Sequence, residues 1–217
     1  MFGLPTQTEF NKRVPKQKFY DNSDVPASLR RVFAEQIKAI YWCNKLAPST
    51  LRVASGERVT EVEVFELRLN APSLDETVLR QIDKAIPYHL LFVLTCGGRA
   101  QAWIGYKEAP AASGNAVKVK RYYHTEWMSD SDLRFVIDGL DIDAVYENLV
   151  RQIAGERLQS DNNESLQDSV KRDEERRQIE KQIAALESKL HKEKQLNRRM
   201  EINAEIKKLK LELKNYA

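Results

Sequence analysis

Three glutamates, Glu61, Glu63 and Glu66, stand on one stretch, EVEVFELRLN, with Arg68 beside them. Converging carboxylates are what a metal-dependent nuclease uses to hold Mg²⁺ near an attacking water, with a basic residue close by. The spacing fits that chemistry only in part. No Asp followed by a Glu-x-Lys unit on a paired strand accompanies the trio, and strand charges are more commonly solvated. An atypical nuclease built on Glu61, Glu63 and Glu66 is therefore kept as the alternative to a non-enzymatic reading. His89, His124 and His191 lie far apart with no ligand spacing, so neither a shared metal nor a triad is expected from them. Gly97-Gly98 suits a tight turn better than a phosphate loop, and no cofactor motif is present. Cys43 and Cys96 lack redox or metal spacing and read as reduced packing residues.

Nucleic-acid binding leaves a different signature. Lys192, Lys194, Arg198, Arg199, Lys207, Lys210 and Lys214 recur at helical spacing and could track phosphates. The net charge of +3 conceals an asymmetry: residues 171–217 carry 14 basic and 9 acidic side chains, against 21 and 23 in residues 1–170. The tail thus holds the whole positive excess. Interleaved Glu201, Glu205 and Glu212 also match the solvated flanks of a coiled coil. Tyr41 and Trp42 near Lys45, or Tyr122, Tyr123 and Trp127 near Lys120 and Arg121, could stack bases. Aromatics at such spacings are mostly core residues.

These residues must be positioned by the elements around them. Pro5, Pro15 and Pro26 break the N-terminal stretch into short pieces. Leu29, Val32, Phe33, Ile37, Ile40 and Tyr41 step by threes and fours, which predicts a helix to about Trp42. Residues 61–70 alternate as a strand, with Val62, Val64 and Glu66 on one face and Glu61, Glu63, Phe65, Leu67 and Leu69 on the other. Both faces are apolar in the middle, so the strand is expected to be central. Ser73 with Glu76 forms a capping box ahead of a helix burying Leu74, Val78, Leu79, Ile82 and Ile86. HLLFVLTC, the Gly97-Gly98 turn and RAQAWIGYKEA predict a hairpin. After a loop, APAASGNA, comes a further strand, and Asp141 or Asp143 caps a helix ending at Gly155.

The expected fold class is α/β or α+β: a mostly antiparallel sheet of about four strands with packed helices, over residues 1–158. Residues 159–168 read as a polar linker, and residues 169–217 as a basic amphipathic arm with coiled-coil seams at Ile179, Ile183, Leu186, Leu190 and at Ile202, Ile206, Leu209, Leu213. The two seams are twelve residues out of step, about 120° around a straight helix. With no Gly, Pro or Asp near residues 195–199, a single rod is preferred over a helical hairpin. A chain of 217 residues, 42% hydrophobic and 31% charged, suits one core plus such an appendage. No stretch approaches a membrane span and the start lacks the order of a secretory signal, so a cytoplasmic protein without membrane contact is expected.

IYWCNKLAPSTL (40–51), AIPYHLLFVL (85–94), RYYHTEW (121–127) and EKQLNRRMEIN (193–203) together carry a resemblance. The chain is similar to a bacterial and archaeal family of uncharacterised domains that often lies beside helicase and DNA-methyltransferase genes in restriction-like defence loci. The resemblance implies a helicase or methyltransferase partner, and it singles out Trp42, Lys45, Gln195, Asn197 and Asn203 as partner-binding candidates. Amides within a helical seam can specify register or grip a partner. The expectation is a non-catalytic accessory subunit without a cofactor, its arm contacting the partner, DNA or RNA. A self-assembling coiled-coil scaffold, homo-oligomeric through the arm, is the third reading.

Overall fold

A computed structural model of the chain describes residues 2–21, 25–107, 119–159 and 164–216. The expected loop APAASGNA, the first residues of the strand after it and the middle of the expected linker lie outside these residues. Two compact units divide between Gly155 and Glu156.

In the first unit β1 (Glu9–Val14) and α1 (Ala27–Gln36) lead into β2 (Ile37–Leu46) and a single helical turn, α2 (Pro48–Leu51). Then come β3 (Val62–Leu69), α3 (Glu76–Ala85), β4 (His89–Cys96), β5 (Arg99–Lys107), β6 (Val119–His124), the two-residue β7 (Met128–Ser129) and α4 (Ile142–Ala154). The sheet runs in order β1 to β6, with β7 added beside β5. Among the described strands only the β3–β4 pair is parallel; its crossover is α3.

The sheet therefore has six strands in its path, where about four were expected, and the difference lies at its N-terminal edge. The predicted helix stops at Gln36, and Ile37 to Leu46 form a strand. Ile37 pairs with Leu69 and Ile40 with Leu67, with a register shift between Ile37 and Ala39. An extra residue at such a bulge lets side chains three apart share a face. Spacing that imitates a helix is thus met by a bulged strand. With β2 a strand, Glu9 to Val14 gain a partner and become β1.

One face of the sheet is covered by Phe33 of α1 and by Val78, Leu79 and Ile82 of α3, which pack on Ile37, Ile40, Phe65, Leu67, Leu90, Phe92 and Leu94. The opposite face, which carries Val62, Val64, Leu91 and Ile104, receives α4, with Tyr146 donating to Gly105 O at 2.8 Å. The Gly97-Gly98 turn forms as expected, both glycines at positive φ. Asp141 caps α4 by accepting from Ala144 N at 2.8 Å, whereas α3 is capped by Asp75, not by the Ser73 box.

The second unit is a helical hairpin, not a rod. Helices α5 (Leu166–Lys192) and α6 (Leu196–Leu213) are joined by Glu193 to Gln195. Glu193 and Gln195 are extended at negative φ, so no glycine is needed. The Glu193 carboxylate accepts from the N–H groups of Lys194 and Gln195 at 2.8 and 2.9 Å, which does the work of the missing turn residues. Reversal brings the two out-of-step seams face to face: Ile179 and Ile183 bury against Ile202 and Ile206, flanked by Leu186, Leu190, Leu209 and Leu213.

Candidate functional site

The loop before β3 is set by a carboxylate 84 to 86 residues further on. Asp143, on the first turn of α4, accepts from Glu57 N, Arg58 N and Val59 N at 2.9, 3.2 and 2.7 Å. Burial alone would raise this carboxyl's pKa, but the three N–H groups and the Arg58 cation bring it below the ordinary value. A Cβ at Gly56 would sit 2.2 Å from Asp143 Oδ1 and 2.8 Å from Val59 O, so only glycine lets the loop wrap the carboxylate. Asp143 read in sequence as a possible helix cap, and nothing local signalled its grip on this loop.

The loop delivers Glu61 and Glu63 to the rim of the α1 and α3 face. A second register shift in β2, between Trp42 and Asn44, places Trp42 opposite Phe65 and Lys45 opposite Glu63, on the same side of the sheet. Lys45 Nζ lies 2.5 Å from Glu61 Oε2, and Trp42 Nε1 donates to Glu63 Oε2 at 2.5 Å. Burial pushes the Glu63 carboxyl up to about 8, with the neighbouring Glu61 adding to the rise. Lys45 is held above its usual value by its hydrogen bond to Glu61. Trp42 is clamped between the rings of Phe10, 3.9 Å away, and Phe65, 6.1 Å away, and Thr50 Oγ1 holds Lys45 O at 2.8 Å. The result is a buried carboxyl of raised pKa, Glu63, near an ion-paired Glu61 and Lys45, an arrangement capable of acid–base work.

Glu66 does not join them. It sits on the opposite face, where Arg68 Nε and Nη2 bond it at 3.0 and 3.2 Å and Thr95 Oγ1 donates at 2.9 Å. The three glutamates thus serve two places, and among the described residues no group of three His, Cys, Asp or Glu is set to hold a metal. The histidines are dispersed: His89 packs edge-on against Tyr146, His124 stacks on Trp103 and His191 lies in the last turn of α5. Burial first, then the nearby Lys107 charge, lowers His89 to about 4. The proposed base-stacking aromatics Tyr122 and Tyr123 are core residues, with the Tyr122 hydroxyl donating to Asp83.

In the second unit the cationic candidates fall into two groups. Lys192, Lys194, Arg198 and Arg199 cluster at the hairpin turn, all exposed, and no ion pair engages them among the described residues. Leu196, between Lys194 and Arg198, and Met200, after Arg199, are 70% and 64% exposed beside them. Lys207 and Lys210 are exposed further along α6 and Lys214 just past its end, and Lys210 is neutralised by Glu187 at 2.8 Å. Gln195, Asn197 and Asn203 are exposed too. They lie outside the apolar seam, so a register-setting role inside it does not apply.

The family model described as a domain of unknown function (DUF4391) matches residues 2–213. The chain belongs to that family. Neither curated proteins nor solved structures yield a match. Because the match ends at the last residue of α6, the DUF4391 domain takes in the helical hairpin as well as the sheet. In this DUF4391 chain, then, the Lys45–Glu61–Glu63 cluster and the basic turn both belong to the family's own domain. No helix among the described residues is long and apolar enough to cross a membrane.

Proposed function

We propose that this chain is a non-catalytic accessory subunit that works beside a helicase or DNA methyltransferase in a bacterial restriction-like system, and that its hairpin turn contacts nucleic acid. The observation that carries the reading is the turn itself: four exposed cations around the single carboxylate of Glu193, none of them in a close ion pair among the described residues, with exposed Leu196 and Met200 beside them. Cations of this kind neutralise phosphates, and apolar side chains among them offer contact to bases or to a partner protein. The partner class rests on the resemblance of the four segments named above.

The test is fluorescence anisotropy with labelled duplex DNA, single-stranded DNA and RNA as salt is varied. Three or four phosphate contacts give a log–log salt slope of about −3 to −4 on duplex. Changing Lys192, Lys194, Arg198 and Arg199 together to Glu abolishes binding while circular dichroism stays unchanged. Absence of binding at about 50 mM salt removes the nucleic-acid role, and affinity capture with the candidate helicase and methyltransferase then decides the protein role.

A second reading rests on the buried Glu61–Glu63 pair beside Lys45. It is a hydrolytic enzyme, with a divalent metal supplied at that pair. Cleavage of DNA or RNA by the purified chain with Mg²⁺, lost on Glu63→Gln, favours it over the accessory role.

A further inference from the structure

The geometry points to a ligand site distinct from both places above: a cavity at the carboxyl ends of β3 and β4 that binds a phosphomonoester of mononucleotide size. Crevices of this type, outside the C-terminal ends of parallel strands, are where ligands enter α/β sheets. Here the parallel pair puts Arg68 directly across from Thr95, and both line a cavity of about 570 Å³ together with Glu66, Lys38, Asp130 and Arg134. That volume lies within the range of small-molecule sites and well beyond one phosphate ion.

Separate devices bring the cations there. The first register shift of β2 falls at Lys38: Ile37 and Ile40 keep to the core face, while Lys38 turns to the cavity that Arg68 lines. Arg134 arrives on the segment after β7. That segment is tied down by Phe135 N donating to Phe2 O at 2.9 Å and by the edge-on contact of the Phe2 and Phe135 rings. Asp130 N bonds Gly98 O at 3.0 Å and anchors the other wall.

The charges do not cancel internally. Glu66, 4% exposed, is occupied by the forked Arg68 contact and the Thr95 hydroxyl. Lys38 and Arg134 have no carboxylate partner among the described residues, so two cations face the single charge of Asp130 across the cavity. An oxyanion is the complement of that arrangement, and guanidinium matches the geometry of phosphate oxygens. Asp130 adds a fixed acceptor, which suits a ligand that also carries hydroxyl donors, as a ribose does.

Isothermal titration of the intact chain with adenosine 5′-monophosphate, inorganic phosphate and adenosine tests the proposal. The nucleotide binds, phosphate competes with it, and adenosine does neither. The exposed pair Lys38→Glu and Arg134→Glu weakens nucleotide binding by about tenfold or more, while the hairpin pair Arg198→Glu and Arg199→Glu leaves it unchanged. That control separates this site from the nucleic-acid reading. A short DNA oligonucleotide carrying a 5′-phosphate competes if the natural source is a strand end and fails to if it is a free nucleotide; either result upholds the phosphomonoester site. Equal binding of adenosine and its monophosphate, absence of nucleotide binding, or loss that follows the hairpin variant instead overturns it.

Discussion

Trp42 and Lys45 lie on the same face of the sheet although they stand three positions apart on one strand. A regular strand would send them to opposite faces; the register shift at Trp42 to Asn44 corrects the parity and sets both against Glu61 and Glu63. Neither carboxyl would have its present donor without that irregularity.

The carboxyl pair makes stability depend on pH in a direction opposite to that of an ordinary salt-bridged acid. Glu63 titrates near 4.5 unfolded and at about 8 folded, so between those values the folded state binds the extra proton. Stability is complete below about 4.5 and declines as pH rises to about 8. Glu63→Gln, which keeps an acceptor for Trp42, removes this decline. At pH 8.5 the variant exceeds the parent by roughly 1–3 kcal/mol in urea unfolding, and at pH 4.5 the two coincide.

Asp143 governs the entry to β3. Asp143→Ala leaves the N–H groups of Glu57, Arg58 and Val59 without their acceptor and costs about 1–3 kcal/mol. Gly56→Ala, which forces a Cβ into the same carboxylate, has an effect of the same sign. Hydrogen exchange shows the loss as faster exchange of the Glu57 to Val59 amides.

Lys107 and Asp83 form a buried ion pair at 2.9 Å, each side chain 4% exposed. Burial drives the Asp83 carboxyl upward in pKa, opposed by Lys107. Lys107→Met strands Asp83 and lowers stability by about 3–5 kcal/mol, whereas the double variant with Asp83→Asn recovers part of the loss. Thermal unfolding of the single and double variants measures both.

The hairpin places Glu187 beside Lys210, residues that a continuous helix would hold about 34 Å apart. Cysteines substituted at these two positions therefore form a disulfide within one chain, seen as a faster-migrating monomer on a non-reducing gel. A rod gives either no bond or a cross-linked dimer.

Elements whose signals are local were legible along the chain. The alternation of residues 61–70, the apolar stripe of α3, the turn at Gly97-Gly98 and a cap at Asp141 or Asp143 each depend on neighbours within a few positions, and each is present in the fold, the cap at Asp141. Only tertiary structure decided the fate of Ile37 to Leu46 and of the arm. Apolar residues three apart satisfy a core equally from a helix or from a bulged strand, and the ladders with β1 and β3 select the strand. Two seams out of step fit a rod touching two surfaces or a chain folded on itself; burial of Ile179 and Ile183 against Ile202 and Ile206 selects the second. The same holds for the site. Glu61, Glu63 and Glu66 look like one cluster along the chain, yet strand parity sends Glu66 to Arg68 and Thr95 on the far face, while Lys45 reaches Glu61 only through the bulge. Periodicity records which side chains must be buried, but the partner that buries them lies elsewhere in the chain, and that partner sets the backbone on which they meet.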